Sequence, residues 1–145
     1  MSGNGEDEHE RDLAATEQVD ASRFRVLFNP EARLILSHRG RDYEISPQTR
    51  VFVIGRSPEC DLVVDSGPTS RKHARIIYRT GKFVLIDQSK NGTYLRQAGG
   101  VEVYLLGEEE HPLTTAGLIG LGQTTGSPSD DHIRYRCERC SPELL

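Results

Sequence analysis

From Arg33 onward the chain alternates short apolar runs with polar, turn-forming residues. The runs predict strands at 33–37, 42–45, 51–54, 61–64, 73–78, 83–86, 93–95, 101–105, 118–120 and 133–136. Each is short, rich in Val, Ile, Leu, Tyr or Phe, and bounded by Gly, Pro, Asn, Asp or Ser. No helical segment separates them, and parallel strands require crossovers, so the pattern predicts an all-β fold. The expected form is an antiparallel β-sandwich of about ten or eleven short strands. Two hairpins stand out: Tyr78-Arg79-Thr80-Gly81-Lys82-Phe83, in which Gly81 can take a positive φ, and His38-Arg39-Gly40-Arg41. Residues 107–116 and 122–132 have the composition of loops.

The chain of 145 residues has enough material for one hydrophobic core. It contains no apolar run long enough to span a membrane, and its opening MSGNGEDEHE lacks the features of a signal peptide. Three cysteines, Cys60, Cys137 and Cys140, do not make a disulfide-stapled secreted scaffold, so a cytoplasmic location is expected. The net charge of −4 is unevenly spread: residues 1–20 hold seven acids and one base, while the remainder holds fifteen acids and seventeen bases. The body is thus slightly basic, suited to an anionic ligand but without the basic stripe that nucleic acid requires. The expected organisation is an acidic, disordered tail over 1–22, a sandwich over 23–136 and a mobile C-terminal tail over 137–145. A short helix near 13–19 has too little apolar surface to hold by itself.

Where strands carry the core, loops are free to carry function, and three of them suit an anion. The first follows the 51–54 run with Gly55-Arg56-Ser57-Pro58: the glycine lets the backbone bend, and the arginine offers a planar fork of donors that matches phosphate oxygens. The second, Asp65 to Ala74, sets the Ser70 hydroxyl beside Arg71 and Lys72, with His73 placed to brace the loop as the next strand begins. The third, Asp87 to Tyr94, contains Asn91-Gly92, a turn signal whose asparagine amide can hold a ligand's main chain. Taken singly, each also reads as an ordinary turn.

Together, Gly55-Arg56, Ser70-x-x-His73 and Asn91-Gly92-Thr93 resemble the signature of the forkhead-associated (FHA) family in type, order and approximate spacing. The resemblance covers about 32–123, with a last strand near 133–136 to complete the sandwich. It implies a module that reads phosphothreonine in a partner protein, with no cofactor and no metal. Carried over position by position, it implies that Arg56 and Ser70 bind phosphate, with Arg71 as a third contact. Asn91 would hold the peptide backbone, with Lys90 beside it where many relatives carry Thr or Ser. Gly55, His73, Gly92 and Thr93 would support the site. The segment Gly107-Glu108-Glu109-Glu110 departs from the family pattern as an insertion.

An enzyme is not expected. The five histidines are scattered without the spacing of a metal or nucleophile motif, and no G-x-S-x-G, P-loop or H-E-x-x-H occurs. The alternative is an FHA-like scaffold, or a regulatory appendage of a kinase or nucleotide cyclase, that binds its partner without phosphate. Cys137-Glu138-Arg139-Cys140 falls outside the resemblance and admits three readings: an incidental pair, a redox-labile pair, or half of a metal site completed elsewhere.

Overall fold

The computed structural model describes residues 29–140. The acidic leader, the short helix near 13–19 and the start of the sandwich at 23 lie outside the described residues. Eleven strands form two sheets: β1 Arg33–His38, β2 Arg41–Ile45, β3 Phe52–Gly55, β4 Leu62–Val63, β5 Ala74–Arg79, β6 Lys82–Asp87, β7 Thr93–Gln97, β8 Glu102–Leu105, β9 Glu110–Leu113, β10 Ala116–Leu121 and β11 Ile133–Glu138. One sheet has the order β2-β1-β11-β10-β7-β8 and the other β4-β3-β5-β6-β9.

The alternation read from the sequence is what closes the core. Leu34 and Leu36 of β1, Ile133 and Tyr135 of β11, Ile76 of β5 and Phe83 and Leu85 of β6 point inward and are buried in one cluster. Burying each such side chain stabilises the sandwich by about 1.5–3 kcal/mol. Both expected hairpins form. Arg39 and Gly40 have φ of 50° and 79°, and Thr80 and Gly81 have 49° and 84°, so both central residues of each turn are left-handed and match the strand twist.

Three features depart from the sequence reading. Residues 107–116 were expected to be a loop, but they contain β9, which pairs antiparallel with β6 from Phe83↔Leu113 to Ile86↔Glu110. It is an edge strand, and Pro112 with the preceding glutamates hides its β character, as suits an edge. The β3–β4 pair is parallel, Ile54↔Leu62 and Gly55↔Val63, and is too short to need a crossover helix. The last strand runs beyond Arg136 to Glu138, with Cys137 opposite Leu34, because Cys137 continues the inward alternation of Ile133 and Tyr135 and packs on the core.

Candidate functional site

The chain leaves β3 at Gly55 and is immediately bound to the segment before β5. The Arg56 amide donates to the Ser70 carbonyl at 2.9 Å, the Ser57 amide to the Arg71 carbonyl at 3.0 Å, and the His73 amide to the Ile54 carbonyl at 2.8 Å. A Cβ at Gly55 would lie 2.2 Å from the Arg71 carbonyl oxygen. Gly55 is therefore required for close backbone approach, a reason beyond the bend that the sequence suggested, and its φ is not positive. The result places the exposed side chains of Arg56 and Arg71 on two adjacent, backbone-bonded segments.

His73 joins this pair of segments to the third loop. It is fully buried. Its Nδ1 accepts from the Ser70 amide at 2.9 Å, which leaves Nε2 as the protonated nitrogen, donating to the Gly92 carbonyl at 2.8 Å. Burial pulls the imidazole pKa below its ordinary value, against the Gly92 bond and the Asp87 charge, which favour the proton. The neutral imidazole acts as a two-ended brace between loops.

The Asn91 turn is built on Asp87. Its Oδ1 accepts from the Ser89 amide at 3.2 Å, the Ser89 hydroxyl at 2.5 Å and the Thr93 hydroxyl at 2.7 Å, and Ser89 Oγ in turn accepts from the Gly92 amide at 2.7 Å. Gly92 has φ of +91°, and a Cβ there would lie 2.2 Å from the Tyr104 ring. Tyr104 Oη donates to the Asn91 carbonyl at 3.2 Å, and Asn91 Nδ2 donates to the Pro68 carbonyl at 3.1 Å. The Lys90 amide donates to Ser70 Oγ at 3.0 Å. Ser70 Oγ thus accepts one hydrogen bond while its own proton has no acceptor among the described residues. It stands ready as a donor.

All five sequence-expected binding residues fall on this end of the sandwich: Arg56, Arg71, Lys90 and Asn91 are exposed and Ser70 half-buried, while Gly55, His73, Gly92 and Thr93 are buried beneath them. Arg56, Arg71, Lys72 and Lys90 have no ion-pair partner among the described residues. Elsewhere Arg33, Arg39, Arg75, Arg79 and Arg136 are each paired with a carboxylate. Among the acids of these loops, Asp61 turns its Oδ2 back onto the Val53 amide at 2.8 Å. The four cations thus face solvent without an ion-pair partner, available to an anionic ligand.

Sequence reading missed several supports of the site. Asp87-x-Ser89 carried a readable signal, since an aspartate two residues before a serine forms a side-chain-to-backbone turn. Tyr104, the Pro68 carbonyl and the Gly122 amide, which donates to the Gly92 carbonyl at 2.9 Å, carried none, because their roles depend on strand placement. Among the described residues, no group of three or more His, Cys, Asp or Glu side chains is placed to hold a metal ion. No described helix is long and apolar enough to cross a membrane.

The family model for the FHA domain matches residues 52–122, the segment that holds all three loops. Solved FHA domains share the fold. The FHA-1 domain of Rv1747 from Mycobacterium tuberculosis aligns with a TM-score of 0.59 at 22% identity, over 74% of this chain and 98% of that one. The N-terminal FHA domain of Rad53p from S. cerevisiae, solved in complex with a phosphothreonine peptide, aligns with a TM-score of 0.54 at 21% identity, over 78% and 95%. The FHA domain of CT664 from Chlamydia trachomatis aligns with a TM-score of 0.52 at 20% identity, over 75% and 99%. No curated protein sequence matches the chain.

Proposed function

Since the chain belongs to the FHA family through residues 52–122, we propose that it is a non-catalytic module that binds phosphothreonine-containing segments of a partner protein in signalling. The observation that carries this reading is the Ser70 hydroxyl. It is fixed by the Lys90 amide with its proton uncommitted, between the exposed and unpaired Arg56 and Arg71. A phosphate near pH 7 carries close to two charges and accepts several hydrogen bonds. Arg56 and Arg71 supply charge-assisted donors and Ser70 a neutral one. Asn91, whose amide nitrogen is held by the Pro68 carbonyl, presents its side-chain oxygen and a second N–H to the main chain of the bound peptide.

The phosphothreonine complex of the Rad53p domain, which shares this fold, adds to that reading. The alternative of a phosphate-independent scaffold gains no specific support from this site. Screening the purified chain against a phosphothreonine peptide library, with matched unphosphorylated peptides, tests the proposal. Retention that requires phosphate supports it, and equal retention of both sets refutes it.

A further inference from the structure

Cys137 and Cys140 lie outside the segment matched by the family model and far from the phosphate-facing loops. In the six-stranded sheet, Thr93 and Leu121 lie opposite each other at the end nearest those loops. Cys137 lies at the other end, opposite Leu34 near the start of β1, with its amide donating to the Thr115 carbonyl at 2.7 Å. Its thiol donates to the Leu113 carbonyl at 3.1 Å. After Glu138 the chain reverses through Arg139, whose φ is +59°, and Asn29 Nδ2 donates to the Arg139 carbonyl at 2.6 Å, which pins the reversal. The reversal returns Cys140 to the core beside Cys137, where both pack against the apolar cluster and the Cys140 thiol points at the Glu138 carbonyl at 3.7 Å. Of the tail expected over 137–145, residues 137–140 form the end of β11 and this turn, and 141–145 lie outside the described residues.

We propose that Cys137 and Cys140 form a dithiol site that closes to an intramolecular disulfide by exchange with a small-molecule disulfide. The geometry supplies the proximity, and the environments supply a division of labour. The neighbouring Cys137 lowers the pKa of the Cys140 thiol, whereas the interaction with Cys140, reinforced by burial, raises that of Cys137. Cys140 is thus the attacking thiolate. It displaces one thiolate from the disulfide RSSR and forms a mixed disulfide, Cys140–S–S–R. Cys137 then loses its proton and attacks Cys140 Sγ, forming the Cys137–Cys140 bond and expelling the second RS⁻. Two protein thiols lose two electrons and two protons, and RSSR becomes two RSH. Cys60 takes no part, since it is buried in another loop, donates to the Arg71 carbonyl at 3.1 Å, and has its pKa raised by that burial.

The test uses the full reduced chain, equilibrated in buffers of increasing glutathione disulfide to glutathione ratio and read by intact mass and by thiol count after denaturation. The free thiols should fall from three to one, with a monomer lighter by two hydrogens and carrying no glutathione. Cys137→Ser should stop at a stable glutathione adduct on Cys140, and Cys140→Ser should form its adduct about ten-fold or more slowly. The wild-type measurement stands even if a variant folds poorly. A glutathionylated wild-type end product, a disulfide-linked dimer, three unreacted thiols across the series, or a metal ion copurifying with the pair would overturn the proposal.

Discussion

His73 Nε2 donates to the Gly92 carbonyl at 2.8 Å, and through this bond a buried residue of one loop sets the position of the turn that presents Asn91. The bond needs a neutral imidazole of fixed tautomer, because Nδ1 is already occupied by the Ser70 amide. Removing the ring would open a cavity, leave the Ser70 amide without a partner and leave the Gly92 carbonyl with the Gly122 amide alone. His73→Ala should therefore cost about 2–4 kcal/mol of stability, read by denaturant unfolding.

The same residue makes stability depend on pH. Burial lowers the His73 pKa in the folded state, so the unfolded chain binds a proton more readily and stability must fall as pH drops below the ordinary histidine value of about 6.5. Glu102 and Asp131 behave differently. Burial opposes ionisation of both, but the bonds from Thr125 and Thr124 to Glu102, and from Arg39 and His38 to Asp131, outweigh it and hold each below the usual carboxylate range. Their contribution is lost only in more acid solution, below about pH 4. Thermal unfolding of wild type between pH 7.5 and 5 should show a falling midpoint that flattens in His73→Gln; an equal slope in both proteins would count against this assignment.

Gly55 and Gly40 offer a controlled pair. A Cβ at Gly55 meets the Arg71 carbonyl oxygen at 2.2 Å, whereas one at Gly40 meets nothing within 4 Å and suffers only its φ of +79°. Gly55→Ala must push back the backbone that carries Ser70 and Arg71, costing about 1–3 kcal/mol and weakening peptide binding as well. Gly40→Ala should cost about 1 kcal/mol and leave binding unchanged. Unfolding curves and peptide titrations of the two variants separate these outcomes.

How much of this was legible follows from what each feature depends on. The hairpins at Arg39-Gly40 and Thr80-Gly81 were readable because turn chemistry is local. β9 was not, because its strand character comes from pairing with β6, while Pro112 and the preceding glutamates argue locally for a loop. The residues proposed to bind the peptide were readable as an ordered set of loop motifs. Tyr104 was not, since its role over Gly92 exists only once β7 and β8 pair Tyr94 with Tyr104. The reason for Gly55 changed as well: a strand-ending glycine suggests a bend, and only the distance to Arg71 reveals the close approach.

Discrimination between phosphothreonine and phosphoserine should be modest and one-sided. The two differ by one methyl, worth about 1 kcal/mol if buried on binding, or roughly five-fold in affinity. Matched peptides differing only in that methyl should rank threonine first by several-fold. Equal affinities would mean that the methyl stays in solvent.

The central claim is that Arg56, Ser70 and Asn91 hold a phosphothreonine segment, and isothermal titration calorimetry tests it most directly. Wild type, Arg56→Ala and Asn91→Ala are titrated with one phosphothreonine peptide and its unphosphorylated twin. Removing one partner of a charge-assisted contact costs about 2–5 kcal/mol, or roughly thirty-fold to several thousand-fold in affinity. Arg56→Ala should therefore lose measurable binding of a micromolar peptide while keeping the wild-type unfolding midpoint, because its side chain is exposed. Asn91→Ala should weaken binding by a comparable factor, and the unphosphorylated peptide should not bind any of the three. Equal affinity for the two peptides, or an Arg56→Ala protein that binds as tightly as wild type, would contradict the account.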